Sequence, residues 1–286
     1  MVRNTVLAHL DGARDGVTLW SAGLAGYGRL AGNGDNLHHD NAGFLAGLDM
    51  PVLSHVTLGV AGGYTSNRAR TPGRLSTASG DSGHIGGYAD WRHGDLRFDV
   101  AGDYGFGSVR IDRAISQLGV AGGRQDPQTG QVFADLGYRI GWDGVVLEPH
   151  AAIAHIMATG GAFAEAGSIA ALSGAAKSES VTYGQFGMRA SLADMALGAG
   201  LALTPKLDLG WQHALAPFTP DQTVTYANAG TSFLVRGTPL VEDAGTVQAG
   251  FDLRAGGSAT LFLSYDGSFS STVESHGLRG GLNWRF

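Results

Sequence analysis

Several residue types that often point to a function are absent or scarce in this chain of 286 residues. There is no cysteine, which excludes disulfide scaffolds, thiolate metal sites and cysteine catalysis, and which fits an oxidising compartment. Only two residues are lysine, Lys177 and Lys206, and the formal net charge is −6. Because nucleic acid binds to a basic surface stripe, we expect no nucleic-acid partner.

Long hydrophobic runs are also missing. The longest uncharged stretch, 149–164, is shorter than the roughly 20 apolar residues that a membrane-spanning helix needs, and it contains two histidines. The residues that follow Met1 show neither the apolar core nor the cleavage site of a signal peptide. The sequence therefore predicts either a cytoplasmic protein or a mature fragment whose export signal lay upstream.

What the chain has in abundance is glycine, with 47 residues, and a regular alternation of apolar with polar or glycine residues. This period of two is typical of a strand with two different faces. Phe262 interrupts the polar face of one such segment. The alternation is clearest at 247–254, 261–266 and 278–286, and it recurs at 96–104, 134–140 and 207–212.

Extended along the chain, the alternation predicts about twelve strands. They cover roughly 17–29, 42–50, 55–66, 82–92, 95–109, 130–142, 145–158, 179–192, 199–214, 245–255, 258–270 and 277–286.

The predicted connections alternate between tight and long, which places all tight turns on one rim of an up-and-down sheet. The tight turns are 51–54, 93–94, 143–144 and 256–257, and the long connections are 30–41, 67–81, 110–129, 159–178 and 215–244.

Such a pattern fits a soluble sandwich or a membrane barrel, and three features favour the barrel. The strands are longer than the usual five or six residues. Arginine and aspartate lie deep within the polar face, which a dry sandwich core would not accept unpaired. Aromatic residues lie near the predicted strand ends, as interfacial girdles require. These aromatics are Trp20, Tyr64, Trp91, Tyr104, Trp142, Trp211, Tyr265 and Trp284.

An ordered set of short motifs then resembles one family, the β-domain of autotransporters (type V secretion). No single motif is specific, but their order and spacing are. The motifs are Trp20 with the glycine-rich run 23–28, AGFLAGLD at 42–49, LGVAGGY at 58–64, FADLGY at 133–138, LEP at 147–149, GMR at 187–189, GWQHAL at 210–215, RGTPL at 236–240 and GGLNWRF at 280–286.

The resemblance implies an all-β fold: a twelve-stranded, antiparallel, up-and-down transmembrane β-barrel with a short N-terminal helix in the pore. It divides the chain into a pore helix and linker at 1–16 and an outer-membrane translocator barrel at 17–286. The stretch 2–13 supplies the helix, with Val6, Leu7 and Leu10 on one face. Small residues expected to face inward, at Gly23, Ala25, Gly59, Ala61 and Gly63, would leave room for it.

The function implied by the resemblance is to anchor and export an N-terminal passenger, which is absent from this chain, across the outer membrane of a Gram-negative bacterium. The expected partners are the passenger in cis, outer-membrane lipids and lipopolysaccharide, the barrel-assembly machinery and periplasmic chaperones, with the barrel acting as a monomer. Some members cut themselves between two asparagines in the pore helix. Here Asn4 is followed by Thr5, so self-cleavage is not carried over.

The inward polar face provides the expected pore lining, and the last strand provides the expected assembly signal. The pore-lining residues are Asp49, Asp99, Asp135, Arg139, Glu148, Arg189, Gln212, Asp252, Arg254 and Arg279. Of these, Asp135, Arg139, Glu148 and Arg189 should pair with one another or with the pore helix. The assembly signal comprises the outward residues Leu278, Leu282, Trp284 and Phe286, a terminal pattern that the resemblance assigns to recognition by the assembly machinery.

Three further motifs give no support for catalysis, a metal or a cofactor, so we expect no enzyme activity. The protease-like GDSGH at 80–84 falls at a predicted loop-to-strand junction. The adjacent histidines at 38–39 lie on a predicted surface loop without a third ligand. The glycines at 26–31 lack a following βαβ unit. Two alternative functions remain: an outer-membrane barrel enzyme such as a phospholipase, which would need a serine beside the outward His155, and a passive channel.

Overall fold

A computed structural model describes residues 2–10, 16–32, 36–216 and 219–286 as one short helix and a closed barrel of twelve strands. Helix α1 is Val2–Leu10. The barrel strands are β1 (Thr18–Ala31), β2 (Asn36–Leu53), β3 (Val56–Thr71), β4 (Ser76–His93), β5 (Leu96–Ile115), β6 (Gln128–Tyr138, continued by Ile140–Trp142), β7 (Val145–Gly160), β8 (Lys177–Leu192), β9 (Leu201–Ala214), β10 (Asp243–Ala255), β11 (Ala259–Phe269) and β12 (Val273–Arg285).

Each strand pairs antiparallel with its sequence neighbour, and the first strand pairs with the last. The β1–β12 ladder runs from Thr18 opposite Arg285 to Leu30 opposite Val273. Closure leaves the sheet without an edge, so every barrel strand has backbone partners on both sides, as a hydrocarbon surrounding demands. All twelve predicted strands are confirmed. Separately, the described part of the chain has no helix with the length and hydropathy that crossing a membrane requires.

The strands are longer than predicted at the rim opposite the tight turns. The loop predicted at 67–81 is wrong, because β3 and β4 continue until only a 3₁₀ turn at Pro72–Arg74 separates them. The loop predicted at 110–129 is also wrong, because β5 reaches Ile115 and the strand Gly119–Gln125 folds back onto it. The sequence there is polar on both faces, so the apolar alternation stops although the hydrogen-bond ladder continues.

The two longest connections form a small sheet above this long-loop rim. Its four strands lie in the order Phe163–Ala164, Leu172–Gly174, Asp221–Tyr226 and Ser232–Arg236. The opposite rim has tight turns, and the turn predicted at 51–54 is shorter than expected because β2 runs to Leu53. The rim opposite the tight turns therefore carries the two longest connections of the barrel.

The direction of the side chains corrects part of the predicted register in β1. Trp20, expected in an outward girdle, is 1% exposed and points inward with Ala22 and Leu24. Gly23 and Ala25 accordingly lie on the exposed outer face, opposite to the prediction. The reason is that β1 packs against helix α1, so its inward face is apolar and resembles a lipid-facing one.

Small inward residues on β3 do make room inside the barrel. A Cβ atom on Gly59 would lie 2.2 Å from the ring of Tyr88, and one on Gly63 would lie 2.4 Å from the side chain of Leu45. Ala61, between them, packs on the buried cluster around the helix. These three positions face inward as predicted, because the interior at this level is filled by Tyr88, Leu45 and the helix.

Candidate functional site: the barrel interior

Helix α1 lies inside the barrel, against the wall formed by β1 to β5. Its Val6 and Leu10 join a buried apolar cluster with Trp20, Leu45 and Ala101. A nine-residue helix is marginal in water, so this packing is what holds it helical. The helix was predicted over 2–13; residues 11–13 lie outside the described part.

Two backbone carbonyls of the helix accept hydrogen bonds from arginines of the wall, and they fix its direction. The Leu10 carbonyl accepts a bond of 2.5 Å from Arg92, next to the tight-turn rim. The Asn4 carbonyl accepts one from Arg279, farther up the wall. The helix therefore runs with its N-terminal end toward the long-loop rim and its C-terminal end toward the tight turns.

One side chain of the helix, His9, is held by four residues of the wall, a group we call the His9 clamp. The imidazole stacks on Trp20 with ring centroids 4.6 Å apart. Its Nε2 lies 2.5 Å from Asp49 Oδ2, and its Nδ1 lies 3.0 Å from Asn283 Oδ1. Tyr88 donates to the same Asp49 oxygen at 3.0 Å and accepts from Trp20 Nε1 at 2.7 Å.

The clamp depends on a close approach that only glycine permits. A Cβ atom on Gly47 would lie 2.5 Å from the indole nitrogen of Trp20. Because Trp20 is held on its other side by His9, it has little freedom to move away.

A second cluster, the arginine–carboxylate network, lies on the opposite wall. Its members share salt bridges across β5 to β9: Arg97, Asp99, Asp135, Arg139, Glu148, His150, Arg189 and Asp208. All lie on inward positions of their strands, where no lipid competes and where charges are tolerated only when paired.

Two arginines connect this network. Arg97, almost fully buried, lies 3.3 Å from carboxylate oxygens of both Asp135 and Glu148. Arg189 reaches the same two acids at 2.8 and 2.7 Å, and Asp208 at 3.5 Å. Removing either cation would leave several buried carboxylates facing one another.

The structure brings together the four charged residues expected to pair. Arg189 contacts Asp135 and Glu148, and Arg139 contacts Glu148 at 3.1 Å.

The other six residues predicted to line the pore lie in different settings. Asp49 belongs to the His9 clamp, and Asp99 lies beside Arg97. Gln212 accepts from the helix residue Arg3 at 3.1 Å.

The remaining three of these six residues lie on β10 and β12. Asp252 pairs with Lys206 at 2.7 Å. Arg279 pairs with Asp266 at 2.6 Å. Arg254 lies at the tight-turn rim, half exposed and paired with Asp194.

Helix α1 does not fill the lumen. A cavity of about 350 Å³ lies beside its upper part, lined by Arg3, Gln185 and Gln212 among others. Another, of about 510 Å³, opens at the tight-turn rim beside Lys206 and Arg254. The helix thus occupies one side of the interior and leaves a polar space along the other.

The residues expected to form an assembly signal occupy the outward face of β12. Leu278, Trp284 and Phe286 are 52%, 45% and 75% exposed, and Leu282 lies between them, partly covered. Their use as a signal stays a prediction.

The motifs set aside as chemistry lie in strands rather than in loops. The histidines at 38–39 belong to β2, so the predicted surface loop is wrong. GDSGH at 80–84 lies inside β4, where His84 contacts Thr65 at 3.0 Å. Within the described ranges, one set of three side chains brings metal-ligating atoms close together. These are His213, Glu242 and Asp243 on the long-loop side.

Comparison with known proteins places these features in one group. The autotransporter beta-domain family matches residues 19–266. An extracellular serine protease of Serratia marcescens is 30% identical over 272 residues, which cover 93% of this chain and 26% of that protein. The chain therefore spans about a quarter of the length of this relative.

Solved structures share the fold. The translocator domain of autotransporter NalP from Neisseria meningitidis superposes with a TM-score of 0.81 at 18% identity, over 99% of this chain and 93% of that one. The beta domain of the Bordetella autotransporter BrkA gives 0.71 at 19% identity, over 95% and 100%.

Proposed function

Because the chain belongs to the autotransporter β-domain family, we propose that it is the outer-membrane anchor and export channel for a passenger polypeptide on its own N-terminal side. Members of this family are outer-membrane translocators of Gram-negative bacteria. The proposal concerns this chain's passenger, its membrane and its partners.

The direction of helix α1 carries the proposal. Its Leu10 end is bound by Arg92 next to the tight-turn rim, where β1 begins. Its Val2 end points up the lumen toward the long-loop rim. A polypeptide joined to that end would leave the barrel among the long loops, while the barrel itself stays in the membrane. This is the arrangement of a chain that has passed through the pore and is retained there.

The outer wall supports a place in the outer membrane. Exposed aromatics ring the outside near each rim, with Trp142 and Trp284 near the tight turns and Tyr64 and Phe106 on the other side. Outer-membrane barrels carry such girdles, and they keep short turns in the periplasm and long loops outside. We propose the same sidedness here.

We also propose the wider set of partners and the domain division that the sequence suggests. The partners are lipopolysaccharide and other outer-membrane lipids, periplasmic chaperones and the barrel-assembly machinery, with the barrel as a monomer. Residues 1–16 form the pore helix and linker, and residues 17–286 form the translocator. The polar residues of the interior, from Asp135 to Gln212, provide a hydrated lining for the passing chain.

A reporter fusion tests this function directly. A small epitope-tagged domain is joined before residue 1 behind an export signal, and the fusion is expressed in a Gram-negative host. Protease added to intact cells should remove the tag while the barrel stays folded, as judged by heat-modifiable mobility on a gel. The matched control carries the same tag after Phe286, on the tight-turn side, and it should resist the protease. A tag before residue 1 that stays protected on a folded barrel would contradict the proposal.

The alternative of a barrel enzyme has one observation to consider. On the outer face, His155 Nδ1 lies 2.8 Å from the hydroxyl of Thr182. Nucleophile activation also needs a group that orients the histidine, and no carboxylate of the described residues contacts it. We propose a barrel without catalytic activity. Purified barrel that releases fatty acid from phospholipid, and loses this activity in Thr182→Ala, would reverse that conclusion.

A further inference from the structure

At the long-loop rim, the outward face of the barrel continues beyond the belt of exposed aromatic residues. On β3, the positions after Tyr64 on this face are Ser66 and Arg68, and on β5 those after Phe106 are Ser108 and Arg110. These strands therefore carry the lipid-facing surface upward into the level where lipid headgroups begin. The change from aromatic through serine to arginine follows that boundary.

Arginines on this extension lie on one line across four neighbouring strands. Arg68 is opposite Ser79 on β4, Ser79 is opposite Arg110 on β5, and Arg110 is opposite Arg124 on the returning strand. Arg110 and Arg124 are more than 70% exposed. We call Arg68, Arg110 and Arg124 the arginine line.

The arginine line borders a groove of about 990 Å³. Serine hydroxyls line it beside the arginines, at Ser66, Ser79 and Ser108, and the strand Gly119–Gln125 together with the segment 164–167 closes its far side.

The arginines of the groove are only partly neutralised. Arg110 pairs with Asp112 at 3.0 Å. Arg124 donates to the Ser108 hydroxyl at 2.6 Å and lies 3.8 Å from Asp126, a pair that is largely exposed. Arg68 and the neighbouring Arg70 have no carboxylate partner among the residues that the structure describes. Three arginines and two aspartates, Asp81 and Asp112, line the groove. In a chain whose net charge is −6, the groove therefore keeps a small excess of positive charge at the headgroup level.

We propose that this groove binds the phosphate groups of a phosphorylated glycolipid of the outer leaflet. Guanidinium groups bind phosphate through paired hydrogen bonds, and the serine hydroxyls suit the sugar hydroxyls beside the phosphate. The location selects a lipid rather than a soluble anion, because the acyl chains of a lipid bound here would lie along the apolar wall below Tyr64 and Phe106. This inference rests on the proposed place in the outer membrane.

The test uses the complete folded barrel in detergent and measures its binding of bisphosphorylated lipid A by native mass spectrometry. The triple variant Arg68→Gln/Arg110→Gln/Arg124→Gln removes the line. Each arginine near an anionic lipid surface contributes about fivefold in affinity, so we expect a loss of roughly 100-fold. Arg236→Gln, an exposed arginine on the small upper sheet, is the control and should bind as the wild type does.

Three comparisons decide the outcome. The inference is supported if wild type prefers bisphosphorylated over dephosphorylated lipid A and the triple variant loses that preference. It is overturned if the triple variant binds both lipids as the wild type does, or if inorganic phosphate at the same concentration displaces the lipid. Heat-modifiable mobility shows whether every variant is folded, and outer-membrane fractionation of the wild type tests the proposed function separately from the groove.

Discussion

Replacing His9 by alanine should release the helix from the barrel interior without unfolding the barrel. The substitution removes the stack on Trp20 and the hydrogen bonds to Asp49 and Asn283. A hydrogen bond to a charged group is worth about 1.5–3 kcal/mol, and an aromatic stack about 0.5–1.5 kcal/mol. The helix should therefore lose roughly 2–4 kcal/mol of its binding free energy, which raises its unbound fraction about 30- to 1,000-fold. Tyr88 still donates to Asp49, so the Asp49 carboxylate keeps a hydrogen bond when His9 is removed.

Single-channel conductance in planar bilayers measures this release. The wild type should show low conductance with rare openings, and a deletion of residues 1–15 sets the level of the fully open barrel. His9→Ala should open often to that same level, because the wall is unchanged. The matched control is His213→Ala, which removes an outward histidine at the opposite rim and should behave as wild type. Equal opening in His9→Ala and wild type, or in the deletion and wild type, would refute the reasoning.

Three further predictions concern sidedness, insertion and stability. A cysteine in place of Asn228 should react with an impermeant thiol reagent on intact cells, whereas one in place of Asp143, in a tight turn, should not. Leu282→Asp and deletion of Phe286 should both reduce insertion into the outer membrane. An outward charge costs up to about 2–4 kcal/mol at the bilayer centre, and less for aspartate and for a position near the interface such as Leu282. Arg189→Met should destabilise the barrel by about 3–5 kcal/mol in urea unfolding, because it removes one of the two cations that the buried carboxylates Asp135 and Glu148 share.

Each of these predictions has a control. Labelling at position 143 together with protection at position 228 would show that the orientation is opposite to the one proposed. Asn283→Ser, on the inward face of the same strand, should insert normally, and equal failure with Leu282→Asp would mean that the assignment of faces is wrong. Arg254→Met removes a half-exposed cation at the rim and should cost less than about 1 kcal/mol. If it costs as much as Arg189→Met, burial does not set the energy of the network.

The strands that cross the apolar layer were predictable because lipid outside and polar groups inside impose a strict alternation. The prediction fails where that contrast is absent. β1 packs on a helix, so its inward Trp20 has the same chemical character as an outward girdle residue. Phe262, which interrupts the polar face of β11, points inward and packs on the cluster around the helix. Beyond the bilayer, as at Thr77, both faces of a strand meet water and the alternation disappears.

Much of the interior site could be found from inward-facing charges, but its connections could not. Asp135 and Glu148 were identified, whereas Arg97, which lies between them, was omitted although it shares the polar face of β5 with Asp99. His9 was also missed, because helical spacing singles out the apolar residues around it. A single sequence carries no signal for a contact that joins a histidine of the helix to Asp49 on β2. Only closure of the barrel brings these residues to one level.

The pairing of the first strand with the last has a kinetic consequence. Thr18 meets Arg285 across nearly the whole chain, so this ladder is the most non-local strand pairing among the described residues. Non-local pairing is slow, because the chain loses its freedom before the contact compensates for it. A polypeptide that has formed eleven of the strands still has two sheet edges with unpaired backbone groups. These edges are as unfavourable in lipid as the two edges of a sheet of three strands. We therefore expect a prematurely ended barrel to remain outside the membrane, where proteases can reach it, and not to insert as a leaking pore.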